Sequence, residues 1–416
     1  MAPSTMQTAA ILLGLATVHT TGQRLQCPWN PPADGLAFKM LESNIARGDG
    51  IENSGASTGF IELGIFQQAL RESIAYTNST TQKKKWSEYL QNSTLSAVAS
   101  LSNATANAGL PLDRLSIGTS MIHQYESTKD EAYLPAIHAL QDSVLQQPRN
   151  ENGGLWYYQN RNNLTAYHNL SYADGMFSYP AFAILAANHT DKDLFGPEAA
   201  LSQLHSLYDI CKDDYNLLVH GYDASKSHAW ANPTTGASPA VWGRALGWYT
   251  LGLVNTLSLL PHSSPQFASL KSLYNTLIRA QLTASDRSLN IEGSYGVWQI
   301  VDRPGATFAG HANFVEASAS CLTSYNLLHG ARMGWIEDES VRERAVLAGV
   351  GIFQNVIYEF LVEDGNGTVS LNGTSSVASL SGDVDFAYYV TRPTVLNSLI
   401  GTSAFILASL EVEKIC

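Results

Sequence analysis

Residues 239–260 read PAVWGRALGWYTLGLVNTLSLL, with apolar side chains at the three- and four-residue spacing of an α-helix. That spacing predicts about twelve helices along the chain: 58–77, 84–100, 113–127, 131–147, 174–188, 197–212, 239–260, 264–283, 311–330, 338–358, 383–391 and 398–413. No proline-rich linker or low-complexity tract divides them. We therefore expect one all-α domain in which six helical hairpins form a ring, an (α/α)6 barrel whose loops at one end make a cleft.

Aromatic residues are concentrated within this stretch and just before it. Trp230, Trp242 and Trp248 fall within nineteen residues, shortly after the tetrapeptide HGYD at 220–223, and Arg244 lies between the last two tryptophans. Indole rings cover the flat, partly apolar faces of sugars, and a guanidinium offers a fork of donors that suits a carboxylate. The cluster predicts a pocket for an acidic sugar, and the alternative is a buried helix that uses tryptophan as bulk.

Composition limits the class of partner. The chain has 416 residues, of which 45% are hydrophobic and 14% charged, and its formal net charge is −12. This content provides a sizeable core and argues against disorder. The negative charge argues against nucleic acid or an anionic membrane as a partner. Since the same charge opposes an acidic sugar, local Arg and His side chains must supply the attraction.

The N-terminus has the pattern of a secretory signal peptide, placed at 1–22, which leaves 23–416 as the barrel domain. Residues 9–18, AAILLGLATV, form an apolar run that is too short to cross a bilayer. Eight Asn-X-Ser/Thr sequons follow in the chain. We expect a secreted glycoprotein with glycans at Asn78, Asn92, Asn103, Asn163, Asn169, Asn188, Asn366 and Asn372.

Four cysteines in an exported chain suggest a disulfide. Cys27 and Cys416 lie near the two ends of the mature chain, where termini are often neighbours, and we expect them to pair. Cys211 and Cys321 lie in apolar helical sequence and are expected to be buried thiols. No CxxC motif or close cluster of His, Cys and Asp is present, so we expect neither a metal nor another cofactor.

Three acidic residues are candidates for catalysis, and each has a structural alternative. Asp113, in LPLDRLSIG, and Asp174, in SYADGMFSYP, both precede an apolar helix, where N-capping is the usual role of aspartate. The apolar neighbours of Asp174 would desolvate its carboxyl group and favour the protonated form that a general acid needs. Glu316 is interpreted as a buried helix carboxylate that bonds nearby backbone. His220 is either a donor to the ligand or a structural histidine.

The order of several motifs resembles the unsaturated rhamnogalacturonyl hydrolases of glycoside hydrolase family 105, which are related to the unsaturated glucuronyl hydrolases of family 88. The matching segments are LPLDRLSIG, PRNENGGLWYY, YADGMFSYPAFA, HGYD with WANPTTGASPAVWGRALGW, YGVWQIVDRPG, NFVEASAS and GTSAFILASLEVEK. The resemblance runs from about Thr58 to Lys414. It implies the (α/α)6 barrel as the fold.

The resemblance also implies an unusual reaction. Family members remove a 4,5-unsaturated uronic acid, left by a polysaccharide lyase, from the non-reducing end of an oligosaccharide, and pectic rhamnogalacturonan is the expected source. An aspartic acid protonates C4, water adds at C5, and the resulting hemiketal opens and releases the shortened chain. Asp174 matches the general acid and base, and Asp113 matches the aspartate that positions and tunes it. The positions that match substrate contacts are His220, Trp242, Arg244 and Trp248.

Some positions depart from the family pattern. Tyr172 and Ser178 replace a tryptophan and a methionine near Asp174, and Tyr157 and Tyr158 replace a basic pair. We assign these last two tyrosines to substrate binding, and the sugar next to the unsaturated unit stays open. Two rival functions also stay open: an ordinary inverting glycosidase on the same barrel, and a secreted carbohydrate-binding protein without catalysis. Apart from the oligosaccharide, no nucleic acid, membrane or obligate protein partner is expected.

Overall fold

The computed structural model describes residues 35–51, 59–159, 165–189 and 194–416, so the predicted signal peptide, Cys27 and Asn163 lie outside it. Fourteen α-helices and eight short strands lie within these ranges. The helices are α1 Leu36–Arg47, α2 Gly59–Tyr76, α3 Thr80–Ser96, α4 Ala104–Asn107, α5 Arg114–Thr128, α6 Leu134–Leu145, α7 Gly175–Ala186, α8 Pro197–Cys211, α9 Gly243–Leu259, α10 Pro265–Glu292, α11 Ala317–Arg332, α12 Glu339–Phe360, α13 Phe386–Val390 and α14 Leu399–Ile415. The strands are β1 Leu170–Tyr172, β2 Gly221–Asp223, β3 Thr307–Phe308, β4 His311–Ala312, β5 Leu361–Glu363, β6 Val369–Leu371, β7 Thr374–Ser375 and β8 Thr394–Val395.

Six of the helices form a closed inner ring. In chain order they are α2, α5, α7, α9, α11 and α14; each packs on the next, and α14 packs back on α2. The outer helices α1, α3, α6, α8, α10 and α12 alternate with them along the chain and pack against the outside of the ring. Ring helices contact neighbours on several sides, and a helix in that position is apolar nearly all round. This arrangement confirms the predicted (α/α)6 barrel.

The helices that complete the barrel differ in one respect from those predicted. Helix α1, which packs on α14, was not predicted, whereas the predicted helix at 383–391 is reduced to the five-residue α13 beside the cleft. Helix α1 is amphipathic and packs its apolar side on α14, so its periodicity was a signal that the prediction overlooked. The prediction thus has the right number of barrel helices, but it includes residues 383–391 in place of α1.

Small residues set the spacing between ring helices. A Cβ atom on Gly252 of α9 would lie 2.0 Å from the backbone oxygen of Met176 in α7. In the same way, a Cβ atom on Gly64 of α2 would lie 1.9 Å from Oγ of Ser116 in α5. These contacts place neighbouring helices close together. The position of Asp174, at the start of α7, consequently depends on a glycine far from it in sequence.

The cysteines fall into two groups. Cys416 is disulfide-bonded, and its predicted partner Cys27 lies outside the described residues. Cys211 and Cys321 are free and buried, as predicted. In the part of the chain described here, the helices all lack the length and apolar character needed to cross a membrane.

Candidate active site

A cleft of about 120 Å³ lies at the end of the barrel where the ring helices begin. Ile61 and Ile400 line it from the first turns of α2 and α14, while Asp113, Asp174 and Trp242 immediately precede α5, α7 and α9. The N-terminus of a helix carries a partial positive charge from its aligned peptide dipoles. Several such ends converge here, so the cleft can attract an anion although the whole chain carries a formal charge of −12.

A short β-ladder brings Asp174 and His220 together. Strands β1 and β2 pair antiparallel with Tyr172 opposite Gly221, and the backbone N–H of Ala173 donates to the oxygen of His220 at 2.9 Å. His220 Nε2 then lies 3.3 Å from Asp174 Oδ2, and His220 Nδ1 lies 3.0 Å from the hydroxyl of Tyr389. The SYADG and HGYD motifs, about fifty residues apart in sequence, thus form one unit.

His220 does not reach the cleft itself. Its side chain is fully buried, does not line the cavity and contacts Asp174, so its contact with substrate stays a prediction. The approach of Nε2 to Asp174 Oδ2 lacks hydrogen-bond geometry, and neither atom has a hydrogen-bond partner among the described residues. Buried polar atoms without partners are uncommon and often mark a catalytic role.

Asp113 is held by Tyr157. The tyrosine hydroxyl donates to Asp113 Oδ2 at 2.6 Å, and the backbone N–H of Leu112 donates to the oxygen of Tyr157 at 3.0 Å. Neither Asp113 nor Asp174 makes a side-chain capping bond to its helix, which sets aside the capping alternative. Asp113 Oδ1 is buried and has no hydrogen-bond partner in the described protein.

The pKa of Asp113 is raised to about 7. Burial is the main cause, and the nearby charge of Asp174 raises the pKa further, against the lowering effects of the Tyr157 hydrogen bond and the Arg114 charge. Like charges in a low-dielectric site resist ionising together. Asp113 therefore retains a proton close to neutral pH and places it beside Asp174 in the cleft.

Aromatic rings form the walls of the cleft. The rings of Tyr157 and Tyr172 stack in parallel with centroids 4.3 Å apart, and Tyr158 and Tyr167 continue this wall with centroids 4.6 Å apart. Trp242 and Trp248 line the cleft, although each is only 1% exposed. The structure thus gathers the predicted residues Asp113, Asp174, Tyr157, Tyr158, Trp242, Arg244 and Trp248 around one cavity.

Another part of the cleft lining comes from residues 377–379, which the sequence analysis did not predict. Val377, Ala378 and Ser379 line the cleft, and Leu380 N–H donates to the hydroxyl of Tyr172 at 3.0 Å. This segment is about two hundred residues from Asp174 in sequence and carries no charged or metal-binding motif. In the sequence, the only hint of this contact was Tyr172, which departs from the family pattern and whose hydroxyl meets this segment.

Arg244 lines the cleft but already has protein partners. Its Nη1 donates to the oxygen of Ser375 at 2.6 Å and lies 3.3 Å from Glu316 Oε1, while Nη2 donates to the oxygen of Ser376 at 2.8 Å. The guanidinium also lies over the ring of Trp242, 4.7 Å from its centroid. Arg244 thus fixes the 374–376 segment, and its contact with a substrate carboxylate stays a prediction.

Glu316 has the structural role interpreted from the sequence. It is fully buried, caps α11 by accepting from the N–H of Ala319 at 2.6 Å, and accepts from the N–H of Ser375 at 2.7 Å. It does not line the cleft, which removes it as a catalytic acid or base. Within the described ranges, no three His, Cys, Asp or Glu side chains are arranged to hold a metal ion.

Known proteins resemble this chain in sequence. Protein Atu3128 of Agrobacterium fabrum is 34% identical over 221 residues, which cover 51% of this chain and 89% of that protein. The unsaturated rhamnogalacturonyl hydrolase YesR of Bacillus subtilis is 26% identical over 258 residues, which cover 59% of this chain and 70% of that enzyme.

Solved structures share the barrel. A family 105 glycoside hydrolase from C. acetobutylicum superposes with a TM-score of 0.74 at 27% identity, over 91% of this chain and 99% of that chain. The unsaturated glucuronyl hydrolase of Bacillus sp. GL1 has the same fold, with a TM-score of 0.63 at 14% identity over 91% of this chain and 96% of that one. The sequence pattern described as Glycosyl Hydrolase Family 88 matches residues 65–416. The chain therefore belongs to glycosyl hydrolase family 88, as an enzyme of the unsaturated glycosyl hydrolase type.

Proposed function

We propose that this enzyme removes a 4,5-unsaturated uronic acid from the non-reducing end of lyase-generated oligosaccharides, with pectic rhamnogalacturonan as their source. One observation carries the proposal: Asp113 and Asp174 share an aromatic-walled cleft, and each has a buried carboxylate oxygen without a partner among the described residues. The name of the B. subtilis relative, an unsaturated rhamnogalacturonyl hydrolase, supports the choice of rhamnogalacturonan.

The proposed reaction begins with Asp174. Its carboxyl proton moves to C4, and the ring oxygen stabilises the positive charge that develops at C5. Water adds to C5 and gives a proton back to the Asp174 carboxylate, so the acid is restored. The C5 hemiketal then opens by breaking its bond to the ring oxygen, which leaves a ketone at C5 and a hemiacetal at C1. The hemiacetal releases the shortened oligosaccharide as an alcohol and becomes an aldehyde.

The other residues of the cleft have supporting roles in this proposal. Asp113 positions Asp174 and shares its proton, and His220 restrains the Asp174 carboxylate from behind. Trp242 and Trp248 support the flattened sugar ring. The substrate carboxylate lies near Arg244 and the positive ends of the ring helices.

The test follows ultraviolet absorbance of the double bond and release of the shortened chain together, using unsaturated rhamnogalacturonan oligosaccharides and their saturated counterparts. We expect absorbance to fall before release or in step with it, and saturated chains to remain intact. Asp174→Asn should bind substrate but turn over at least about 100-fold more slowly, since general acid–base catalysis typically contributes ~100- to 10,000-fold. Release that precedes the absorbance loss, or comparable cleavage of saturated chains, would instead indicate the ordinary inverting glycosidase.

Secretion and glycosylation form a separate part of the proposal. Of the sequon asparagines in the described ranges, six are exposed: Asn78, Asn92, Asn103, Asn188, Asn366 and Asn372. Asn169 is half-buried, with a positive φ of 59°. Exposure is necessary for a glycan and supports these six sites. Enzymatic deglycosylation of protein from the native host should lower its mass, and an unchanged mass would refute the glycans.

A further inference from the structure

A second cavity lies inside the barrel, beyond the floor of the cleft. Its volume is about 310 Å³, compared with about 120 Å³ for the cleft, and sites for small ligands commonly have ~300–1,000 Å³. Phe177 lines this lower cavity, and its ring packs against that of Trp248, which lines the cleft, with centroids 4.8 Å apart. The Phe177–Trp248 pair therefore separates two distinct cavities.

The lower cavity lies towards the C-terminal ends of the ring helices, and several polar side chains line it although most of its surface is apolar. Arg71 and Glu72 of α2, His123 of α5, Ser258 of α9 and His329 of α11 line its far part. Ser258 is exposed, so the cavity opens to solvent on the side of the barrel opposite Asp174. A ligand would therefore enter without passing through the cleft.

Charges around this cavity are unbalanced. Glu411 accepts from Arg332 at 2.7 and 2.9 Å and from Lys414 at 2.7 Å. Glu72 lies 3.5 Å from Lys414 and accepts from the hydroxyl of Tyr325. Together with Arg71, this cluster has three cations and only two carboxylates. A buried excess charge is costly unless a counter-charge compensates it.

Burial lowers the pKa of Arg71 to about 10, and the charge of the adjacent Glu72 offsets this effect only in part. Arg71 Nη1 donates to Ser120 Oγ at 2.6 Å, and no ion pair joins Arg71 to an acidic side chain within the described part of the chain. Burial, followed by the charge of Arg71, lowers the pKa of neighbouring His123 to about 3, so His123 is neutral at ordinary pH. His329 Nε2 is buried and has no hydrogen-bond partner among described residues. A planar guanidinium beside imidazole nitrogens suits a carboxylate that also bears hydroxyl groups.

We propose that the lower cavity is a second binding site, for a small hydroxylated carboxylate of the monosaccharide uronate class, whose carboxylate meets Arg71. The site is separate from catalysis and does not depend on the proposed function, because its ligand binds without turnover. Neutral His123, the unpartnered Nε2 of His329 and the exposed hydroxyl of Ser258 meet the ligand's hydroxyl groups.

Isothermal titration calorimetry of the full-length enzyme with D-galacturonate tests this site. Two control ligands are titrated in the same way: galactose, which has the sugar ring without the carboxylate, and inorganic phosphate, which has negative charge without the ring. We expect galacturonate to bind at millimolar concentration or better, and Arg71→Gln to weaken its binding at least about tenfold, because the amide carries no charge to meet the carboxylate. Tyr158→Ala, in the cleft, is the matched control and should leave this affinity unchanged.

Ser258→Leu provides a second variant should Arg71→Gln fail to fold. Ser258 is exposed, and its hydroxyl bonds only the oxygen of Val254 in its own helix, so the larger side chain narrows the cavity mouth without disturbing the core. It too should weaken galacturonate at least about tenfold. The proposal is overturned if galacturonate does not bind, or if galactose or phosphate binds equally well. It is also overturned if either folded variant keeps the wild-type affinity for galacturonate, or if Tyr158→Ala loses it.

Discussion

At the scale of single residues, the cleft holds two buried aspartates, and burial raises the pKa of Asp113. Asp113 is 2% and Asp174 8% exposed, and neither is compensated by a capping bond to its helix. Burying a carboxylate without full hydrogen bonding destabilises the folded state. The folded protein is therefore less stable than it would be without this buried carboxyl group, but a proton is available in the cleft near neutral pH, as is often found in active sites.

Asp113→Asn should remove a pH-dependent loss of stability. The folded-state pKa of about 7 lies above the ordinary value of 3.8, so the folded wild type binds the extra proton between these values and loses stability as pH rises through that window. The loss amounts to about 4 kcal/mol at most. Melting temperatures at pH 5 and pH 8 should therefore differ more in the wild type than in Asp113→Asn. Exposed Asp214→Asn is the control, and an equal difference in all three proteins would contradict the assignment.

Tyr157→Phe should move the pH profile of turnover. The Tyr157 hydroxyl lowers the pKa of Asp113 by donating a hydrogen bond. Because the proposed reaction needs a proton on the aspartate pair, the rate should decline as pH rises above about 7, where that proton is lost. Removing the hydroxyl raises the pKa, so the decline should shift to higher pH. A profile of kcat that does not move, or that moves to lower pH, would show that this bond does not set the pKa.

At the scale of elements, the site depends on where ring helices start and how closely they pack. Asp113, Asp174 and Trp242 each immediately precede a ring helix, and the β1–β2 ladder fixes the chain just before Asp174. The close contact between α7 and α9, at Met176 and Gly252, lies just two residues beyond Asp174. A change in helix spacing would therefore move the carboxylate, and small misplacements of catalytic groups are costly.

Gly252→Ala should be destabilising and should lower activity. The new methyl group would lie 2.0 Å from the backbone oxygen of Met176, and neither backbone can yield without separating α7 from α9. Overpacking of this kind typically costs about 1–3 kcal/mol. Gly365→Ala, whose Cβ would meet nothing within 4 Å, is the control. Urea denaturation and kcat measure the two effects, and a variant indistinguishable from the control in both would refute the argument.

At the scale of the whole molecule, the chain must close its ring with its last helix. Helix α14 packs on α11, α2 and α1, so the C-terminus joins the two ends of the barrel. Glu411 is the buried centre of this closure, bound by Arg332 of α11 and Lys414 of its own helix. Burial alone would raise the pKa of Glu411, but His329, Arg332 and Lys414 together hold it well below its ordinary value.

Glu411→Gln should weaken ring closure. Removing one member of a fully buried ion pair typically costs about 3–5 kcal/mol, and the cost here should be smaller because Arg332 and Lys414 are partly exposed. The contribution of Glu411 is present above its unfolded pKa and is lost as pH falls, so the variant should lose less stability than wild type on acidification below about pH 4.5. Glu359→Gln, on the exposed surface, is the control. Equal unfolding free energies for the two variants would argue against this role.

Local patterns in the sequence determined the fold class and much of the site. Helical periodicity gave the barrel because ring and outer helices each carry a continuous signal over several turns. The motifs around Asp113, Asp174 and Trp242 pointed to the cleft because each site residue directly precedes a ring helix. The location of a residue can be predicted from the sequence alone when the helix next to it in the chain sets that location.

Only the tertiary structure decided which atoms meet. It buried His220 against Asp174, bonded the Arg244 guanidinium to the backbone oxygens of Ser375 and Ser376, and brought Ala378 to the lining of the cleft. These outcomes depend on contacts between residues far apart in sequence, whose formation is set by packing and by competition for hydrogen-bond partners. Neither leaves a periodic signal along the chain.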